Sequence, residues 1–285
     1  MEEETVLRIP QEVTRFVDTY WPLSPILQTI KEAVERKAQT EELIKLHEEY
    51  EAYLERKHGT EVLKRYHELC RAQLDCPNEE TYKRIFGYTI ASGLSEEQPS
   101  NTALRTRKTL ESFLTLLSSA GPDLTVVDLG VGDGKLCIGY SLGTENVREV
   151  WGIDYLPEAI ERAEINLRAL PSEQEQTARK KMHLLEGDYR YGGDLENKLK
   201  EKGFKGADLC LIAYPEELFS AAHSARWFLK PKGGIIVYFP IDDDESPQTM
   251  ISYSLNPQAN RFGLSFRLFD ERTFFRGLKL LGLSG

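Results

Sequence analysis

Sulfur and imidazole are scarce in this chain of 285 residues, which holds 4 cysteines, 3 methionines and 5 histidines. Cys70 and Cys76 have no second pair to complete a zinc site, and Cys137 and Cys210 fall within apolar stretches. Four reduced thiols and no structural metal are expected. No apolar run approaches the roughly 20 residues that a membrane span requires. The start, Met1-Glu-Glu-Glu-Thr, is acidic where a signal peptide is basic, so a cytoplasmic protein without a membrane partner is expected. A basic surplus is also missing, since 46 acids outnumber 36 bases and the net charge is −10. Proteins that follow a phosphate backbone carry a basic footprint, so nucleic acid is disfavoured as a partner. The two short basic clusters, 105–108 and 179–181, read as solvated ends of elements.

A hydrophobic share of 40% supports a packed core, and the length suits an enzyme-sized domain with a smaller one beside it. Residues 1–99 read as a separate, all-helical portion. Leu43, Leu46, Tyr50 and Leu54 recur at helical spacing, and Leu63, Tyr66 and Cys70 continue the stripe beyond Gly59. Pro10, Pro22, Pro25, Gly59 and Pro77 divide the portion into four or five helices. It is expected either to cap the second domain or to serve stability and association alone. The polar, turn-rich stretch 93–100 marks the boundary, and a helix opening at Asn101-Thr102 begins the second domain, 100–285.

In that domain, apolar strands alternate with helical runs, the pattern of a doubly wound, mainly parallel α/β sheet. The first strand ends in Thr125-Val-Val-Asp-Leu-Gly-Val-Gly-Asp-Gly134. Three alternate glycines after a buried strand make a turn on which a ligand can lie against bare backbone. A dinucleotide fingerprint places glycine at the first, third and sixth positions, and here the sixth is Lys135. Asp128 and Asp133 add negative charge, which opposes a pyrophosphate and suits a cationic, sulfonium-bearing ligand. A second strand ends in Asp154, 24 residues beyond Gly130, where a carboxylate can accept from two ribose hydroxyls. A third apolar strand leads into Asp188-Tyr189. Other readings stay open: the glycines can serve helix–strand packing, Asp154 can cap the helix near Pro157, and Asp188 can be a turn residue.

At these residues the chain resembles the class I, Rossmann-like methyltransferases that use S-adenosylmethionine, over about Asn101 to Pro240. The resemblance implies that Asp128, Gly130, Gly132 and Gly134 wrap the methionine end of the cofactor. Asp154, with Tyr155 beside it, would hold the ribose; Asp188 would meet the adenine edge, with Tyr189 against the ring. It also implies a seven-stranded Rossmann-like sheet, for which 250–255 and 262–269 supply an antiparallel pair after the strands at 207–213 and 234–239. The stretch 217–229 reads as the helix between those two strands, and Lys230-Pro-Lys-Gly-Gly234 as the turn that follows it.

The acceptor side is less constrained. Family members that methylate planar amines carry Asp, Asn or Ser followed by Pro-Pro and an aromatic after the fourth strand. This chain has Ala213-Tyr-Pro-Glu216 instead. Tyr214 can line an acceptor pocket and Glu216 can hold a cationic or hydroxyl-bearing acceptor; Pro215 and Glu216 can equally be the first turn of a helix. These two residues are the catalytic candidates. In the run Ile241-Asp-Asp-Asp-Glu-Ser246, Asp242 and Asp243 are candidates for attracting an amine, against the commoner meaning of a solvated loop. The expected activity is methyl transfer to a small-molecule or protein acceptor. The alternatives are aminopropyl transfer from the decarboxylated cofactor and a non-catalytic module that binds S-adenosylmethionine.

Overall fold

The computed structural model describes residues 9–75, 79–97, 102–190, 194–213, 224–238, 250–254 and 268–269. The chain divides into two compact units, one of Arg15–Lys108 and the other of Met1–Thr14 with Thr109–Gly285. The division falls inside a helix, Thr102–Ser119, rather than in the turn-rich stretch before it.

Helices account for the first unit. They are α1 (Gln11–Tyr20, which the division crosses after Thr14), α2 (Pro25–Glu35), α3 (Thr40–His58), α4 (Thr60–Asp75) and α5 (Glu79–Ala91), followed by a 3₁₀ turn at Leu94–Glu97. The stripe on α3 buries Leu46, Tyr50 and Leu54, and α4 buries Leu63 and Leu69. Tyr50, Leu54 and Leu63 join Leu27 and Leu94 in one core. Gly59, at φ 93°, separates α3 from α4, and its N–H donates to the Glu55 carbonyl. That backbone angle suits a residue without Cβ. Arg107, 5% exposed, is held by the Val17 carbonyl at 3.3 Å and by the Asp18 carboxylate. A guanidinium so far from water requires such partners.

The second unit opens with the remainder of α6 (Thr102–Ser119), in which Leu110, Phe113, Leu114, Leu116 and Leu117 are all fully buried. The alternating elements follow: β1 (Leu124–Leu129), α7 (Lys135–Gly143), β2 (Val147–Asp154), α8 (Pro157–Arg168), α9 (Ser172–Lys181), β3 (Met182–Glu186), α10 (Asp194–Glu201) and β4 (Ala207–Ala213). Next are β5 (Leu229–Tyr238), β6 (Met250–Ser254) and β7 (Leu268–Phe269). The strand order is β3-β2-β1-β4-β5-β6-β7. The first five of these run parallel; β6 pairs antiparallel with β5, and β7 with β6. Every residue of β1 is buried, as a strand covered on both faces must be. Where α7 passes α6, a Cβ on Gly139 would lie 2.6 Å from the Leu110 side chain. A larger residue there would force the Leu110 side chain to move.

Two local expectations fail. Lys230-Pro-Lys-Gly-Gly234 is not a turn ahead of the fifth strand, because β5 already begins at Leu229. Ala207 pairs with Leu229 and Leu209 with Gly234, so the segment is extra length bulging from β5. Lys230 anchors it by donating to Asp208 at 2.7 Å, and Asp208 in turn accepts from the Thr125 N–H at 2.9 Å. The segment read as helix to 229 contains helix only at 224–225 and a 3₁₀ turn at Arg226–Phe228 among its described residues. A further helix, α9, is polar on nearly all sides, with only Ala178 buried. Its last turn carries the 179–181 basic cluster, and Arg179 is engaged by Glu175 at 2.9 Å and Glu164 at 3.2 Å.

On the sheet face toward α10, Trp151 is 1% exposed and stacks on His183 with ring centroids 4.1 Å apart. The two residues are cross-strand partners in β2 and β3, the placement in which such rings meet. Burial pushes the His183 imidazole below its ordinary range. No described helix is long and apolar enough to cross a membrane.

Candidate functional site

Because β1, β2, β3 and β4 are parallel, their C-terminal ends share one edge of the sheet. The register sets the ends level: Leu129 lies beside Ile153 and Ile212, and Asp154 beside Glu186. The residues that follow β1, β2 and β3 therefore emerge together.

After β1 the chain turns on three glycines with positive φ, namely 83° at Gly130, 55° at Gly132 and 78° at Gly134. The N–H groups of Gly130 and Val131 both donate to the Ile153 carbonyl, at 2.8 and 3.1 Å, which ties the turn to the end of β2. Gly130 and Gly134 serve different ends. A Cβ on Gly134 would lie 2.5 Å from the Cβ of Ala163 in α8, so this glycine is required for packing. A Cβ on Gly130 would meet no atom within 4 Å. The backbone there faces open space, with room for a ligand to approach it.

Asp154 closes the turn from the other side. Its Oδ2 accepts from the Gly132 N–H at 2.9 Å, and its Oδ1 accepts from the Leu156 N–H at 3.0 Å. The carboxyl is raised above the usual range by burial, against the stabilising amides of Leu156, Gly132 and Tyr155. Held in this way, each carboxylate oxygen keeps acceptor capacity for another donor. The backbone amides orient a negative group next to the glycine turn. Asp154 does not cap α8, whose N-cap is Leu156 with no side-chain cap bond; its bond to the Leu156 N–H closes a local turn, and the bond to Gly132 ties it to the glycine turn.

Asp128 stands differently from the sequence expectation. It is 1% exposed, and its carboxylate Oδ2 accepts from the Cys137 thiol at 3.3 Å. Burial pushes its carboxyl up to about 7, with the neighbouring Asp154 charge adding to the rise. Near neutral pH this group is partly protonated, so it lends the turn much less negative charge than its residue type suggested. The Cys137 and Cys210 thiols are also raised by burial, and both feel Asp128. They are buried packing groups, and Cys70, Cys137 and Cys210 are all free.

Beyond β3, the Gly187 N–H donates to the Asp154 carbonyl at 2.8 Å, bringing the third strand's exit beside the second's. Asp188 is engaged by Arg190, a residue that sequence reasoning missed. Arg190 Nε lies 2.9 Å from Oδ1 and 3.3 Å from Oδ2, Nη2 lies 2.7 Å from Oδ2, and the Arg190 backbone N–H donates to Oδ1 at 2.9 Å. The guanidinium carbon sits 5.5 Å from the centre of the Tyr155 ring. Tyr189 packs, partly buried, against the core cluster that includes Trp151, Ile153, Leu185 and Leu195. The edge thus brings together Gly130, Gly132, Gly134, Asp154, Tyr155 and Asp188. Asp128 lies in the core beneath the turn, and Tyr189 against the core under β3.

The acceptor-side candidates Tyr214, Glu216, Asp242 and Asp243 lie outside the described residues. Among the described residues, no group of three or more His, Cys, Asp or Glu side chains could hold a metal ion.

No protein-family model matches the chain, and no curated protein matches it. Solved structures do match. One is a SAM-dependent methyltransferase from Thiobacillus denitrificans in complex with S-adenosyl-L-homocysteine, with 18% identity and a TM-score of 0.35 over 47% of this chain and 48% of that one. Another is a glycopeptide N-methyltransferase complexed with (S)-adenosyl-L-methionine, with 16% identity and a TM-score of 0.36 over 57% of this chain and 66% of that one. A third is a precorrin-6y C5,15-methyltransferase from Geobacter metallireducens, with 18% identity and a TM-score of 0.36 over 47% of this chain and 61% of that one. The first of these matches takes in about half of the solved chain.

Proposed function

We propose that the chain binds S-adenosylmethionine along the edge formed by the Gly130–Gly134 turn, Asp154 and Asp188, and transfers its methyl group to a small-molecule or protein acceptor. The observation that carries this reading is the pairing of Gly130 with Asp154. A glycine whose missing side chain leaves open space stands beside a buried carboxylate oriented by the Gly132 amide. The spacing of the glycines speaks against a dinucleotide, and Asp133 beside the turn speaks against a bare phosphate.

The residues fit the ligand in three ways. The backbone at Gly130 permits close approach. Asp154 offers acceptors for vicinal hydroxyls. Asp188, at the exit of the neighbouring strand, offers an acceptor for an amine donor. When bound, S-adenosylmethionine supplies a methyl group already activated by its sulfonium, so the protein need polarise no bond. What remains is geometry: the acceptor's lone pair must be held in line with the breaking bond at roughly 3 Å. We assign that work to Tyr214 and Glu216, with Asp242 and Asp243 attracting an amine. The division into an acceptor-choosing portion, 1–99, and a cofactor-binding portion, 100–285, belongs to the same proposal. So does the reading of β6 and β7 as the antiparallel edge of a seven-stranded family sheet.

Calorimetric titration of the purified chain tests this directly, with S-adenosylmethionine, S-adenosylhomocysteine, the decarboxylated cofactor and NAD as ligands. Binding of the first two, weakened in Asp154→Ala, is the expected result. Preference for the decarboxylated form would redirect the reading to aminopropyl transfer. Tight binding without turnover across amine, hydroxyl and peptide acceptors would favour a non-catalytic module. Binding of none of the adenosyl ligands would sink the proposal.

A further inference from the structure

Arg190 connects two loops that sequence reasoning treats separately. Asp188 follows β3 and Tyr155 follows β2, strands that lie side by side and parallel. The guanidinium grips the Asp188 carboxylate through Nε and Nη2, at 2.9 and 2.7 Å, while its central carbon lies over the Tyr155 ring, 5.5 Å from the ring centre. Each contact constrains a different degree of freedom. A side-on fork fixes the rotation of a carboxylate, which a single point charge does not. A guanidinium over an aromatic face fixes the tilt of that ring. Both partners of the ion pair are less than a third exposed, at 24% and 28%, so the pair is partly shielded from solvent.

We propose that Arg190 is a positioning residue for the purine end of the bound nucleoside, acting through Asp188 and Tyr155. The inference rests on the adenosyl reading above. An ionised carboxylate can only accept hydrogen bonds. With its rotation fixed, Asp188 accepts the exocyclic amine of adenine and repels a carbonyl at the same place. Freed from the fork, it turns away from that carbonyl or takes in water between the two, and the discrimination falls. Arg190 thus sets which purine is taken, beyond how tightly any nucleoside is held.

The test compares S-adenosylhomocysteine with its inosine counterpart, in which a carbonyl replaces the amine. Dissociation constants are measured calorimetrically on the full chain as wild type, Arg190→Gln, Arg190→Lys and Asp188→Asn. The wild type is expected to prefer the adenine ligand by about 10- to 100-fold, the range that one misplaced buried hydrogen bond commands. Arg190→Gln should bring that preference to within about threefold, chiefly by weakening the adenine ligand. Arg190→Lys keeps the charge without the fork and should fall between the two. Asp188→Asn, which offers a donor as well as an acceptor, should lose the preference whether or not Arg190 is present. A merely structural Arg190 would weaken both ligands alike and leave the ratio unmoved, which overturns the inference. If the wild type binds the adenine ligand and Arg190→Gln keeps the full ratio, the inference fails alone. If the wild type binds neither ligand, the adenosyl reading fails with it.

Discussion

The sheet unit and the helical unit use opposite means to fix their residues in place. In Arg15–Lys108, position is decided by an apolar stripe, and Leu46, Tyr50, Leu54 and Leu63 are buried because they recur at helical spacing. Any apolar side chain of similar volume would serve at most of these places. In Thr109–Gly285, position at the strand-exit edge is decided by backbone geometry. A Cβ on Gly134 would strike Ala163, and Asp154 is gripped by backbone amides of the glycine turn and of its own turn. A residue fixed by a stripe reveals only that it is inside; one fixed by positive φ and register reveals what must lie beside it.

Substitutions that exchange the two means break or sharpen this contrast. Gly134→Val is expected to have the largest effect, since it adds both strain at φ 78° and a clash with Ala163. Loss of the sheet unit's cooperative melting in circular dichroism is expected; a native-like melt would refute the close approach of α8. Leu54→Ala removes a fully buried side chain from the helical core and should cost about 2–5 kcal/mol. Its affinity for S-adenosylhomocysteine should stay unchanged at temperatures where it is folded. A parallel fall in affinity would show that the two units are not energetically separate.

Asp128→Asn tests the burial of a charge by pH. The folded-state value of Asp128, about 7, lies above the ordinary 3.8. Between those values the folded protein holds a proton that the unfolded chain has released. Stability from this group is therefore full below about pH 4 and is lost as pH rises toward 7. Denaturant titrations should show a decline of about 2–4 kcal/mol over that window in the wild type and a smaller one in Asp128→Asn. Equal slopes would mean that Asp128 is not desolvated as described. The smallest effect is expected for Asp154→Ala, which should weaken S-adenosylhomocysteine by about 1–3 kcal/mol through lost hydrogen bonds. Unchanged affinity would remove Asp154 from the site.

The same contrast explains what was legible in the sequence. The first three parallel strands announced themselves as apolar runs that lead into Gly or Asp, because strands covered on both faces leave little polar alternation. The bulge in β5 was hidden because Pro231 and Gly233 punctuate a turn in isolation, and only pairing with β4 reveals a strand with excess length. Helix α9 was hidden because it presents almost no apolar face. Arg190 was adjacent to a predicted residue yet silent, since its meaning depends on a ring from the neighbouring strand's loop. The burial of Asp128 escaped because an acid flanking a glycine turn reads as charge until its surroundings are known. Cys137, in the first turn of α7, is what lies against it.

The stack of Trp151 on His183 gives the molecule an optical handle of its own. The chain has 3 tryptophans, and they sit in unlike surroundings: Trp21 is 8% exposed in the helical unit, Trp151 is 1% exposed in β2, and Trp227 is 72% exposed ahead of β5. Their emission should separate by colour and by access to a dissolved quencher, with Trp227 red-shifted and reachable and Trp151 blue-shifted and shielded. A protonated imidazole at 4.1 Å dims an indole by taking its excited electron, so protonation of His183 darkens the Trp151 component. That component comes from the strand that ends in Asp154, and its brightness follows the state of the strand without any attached dye.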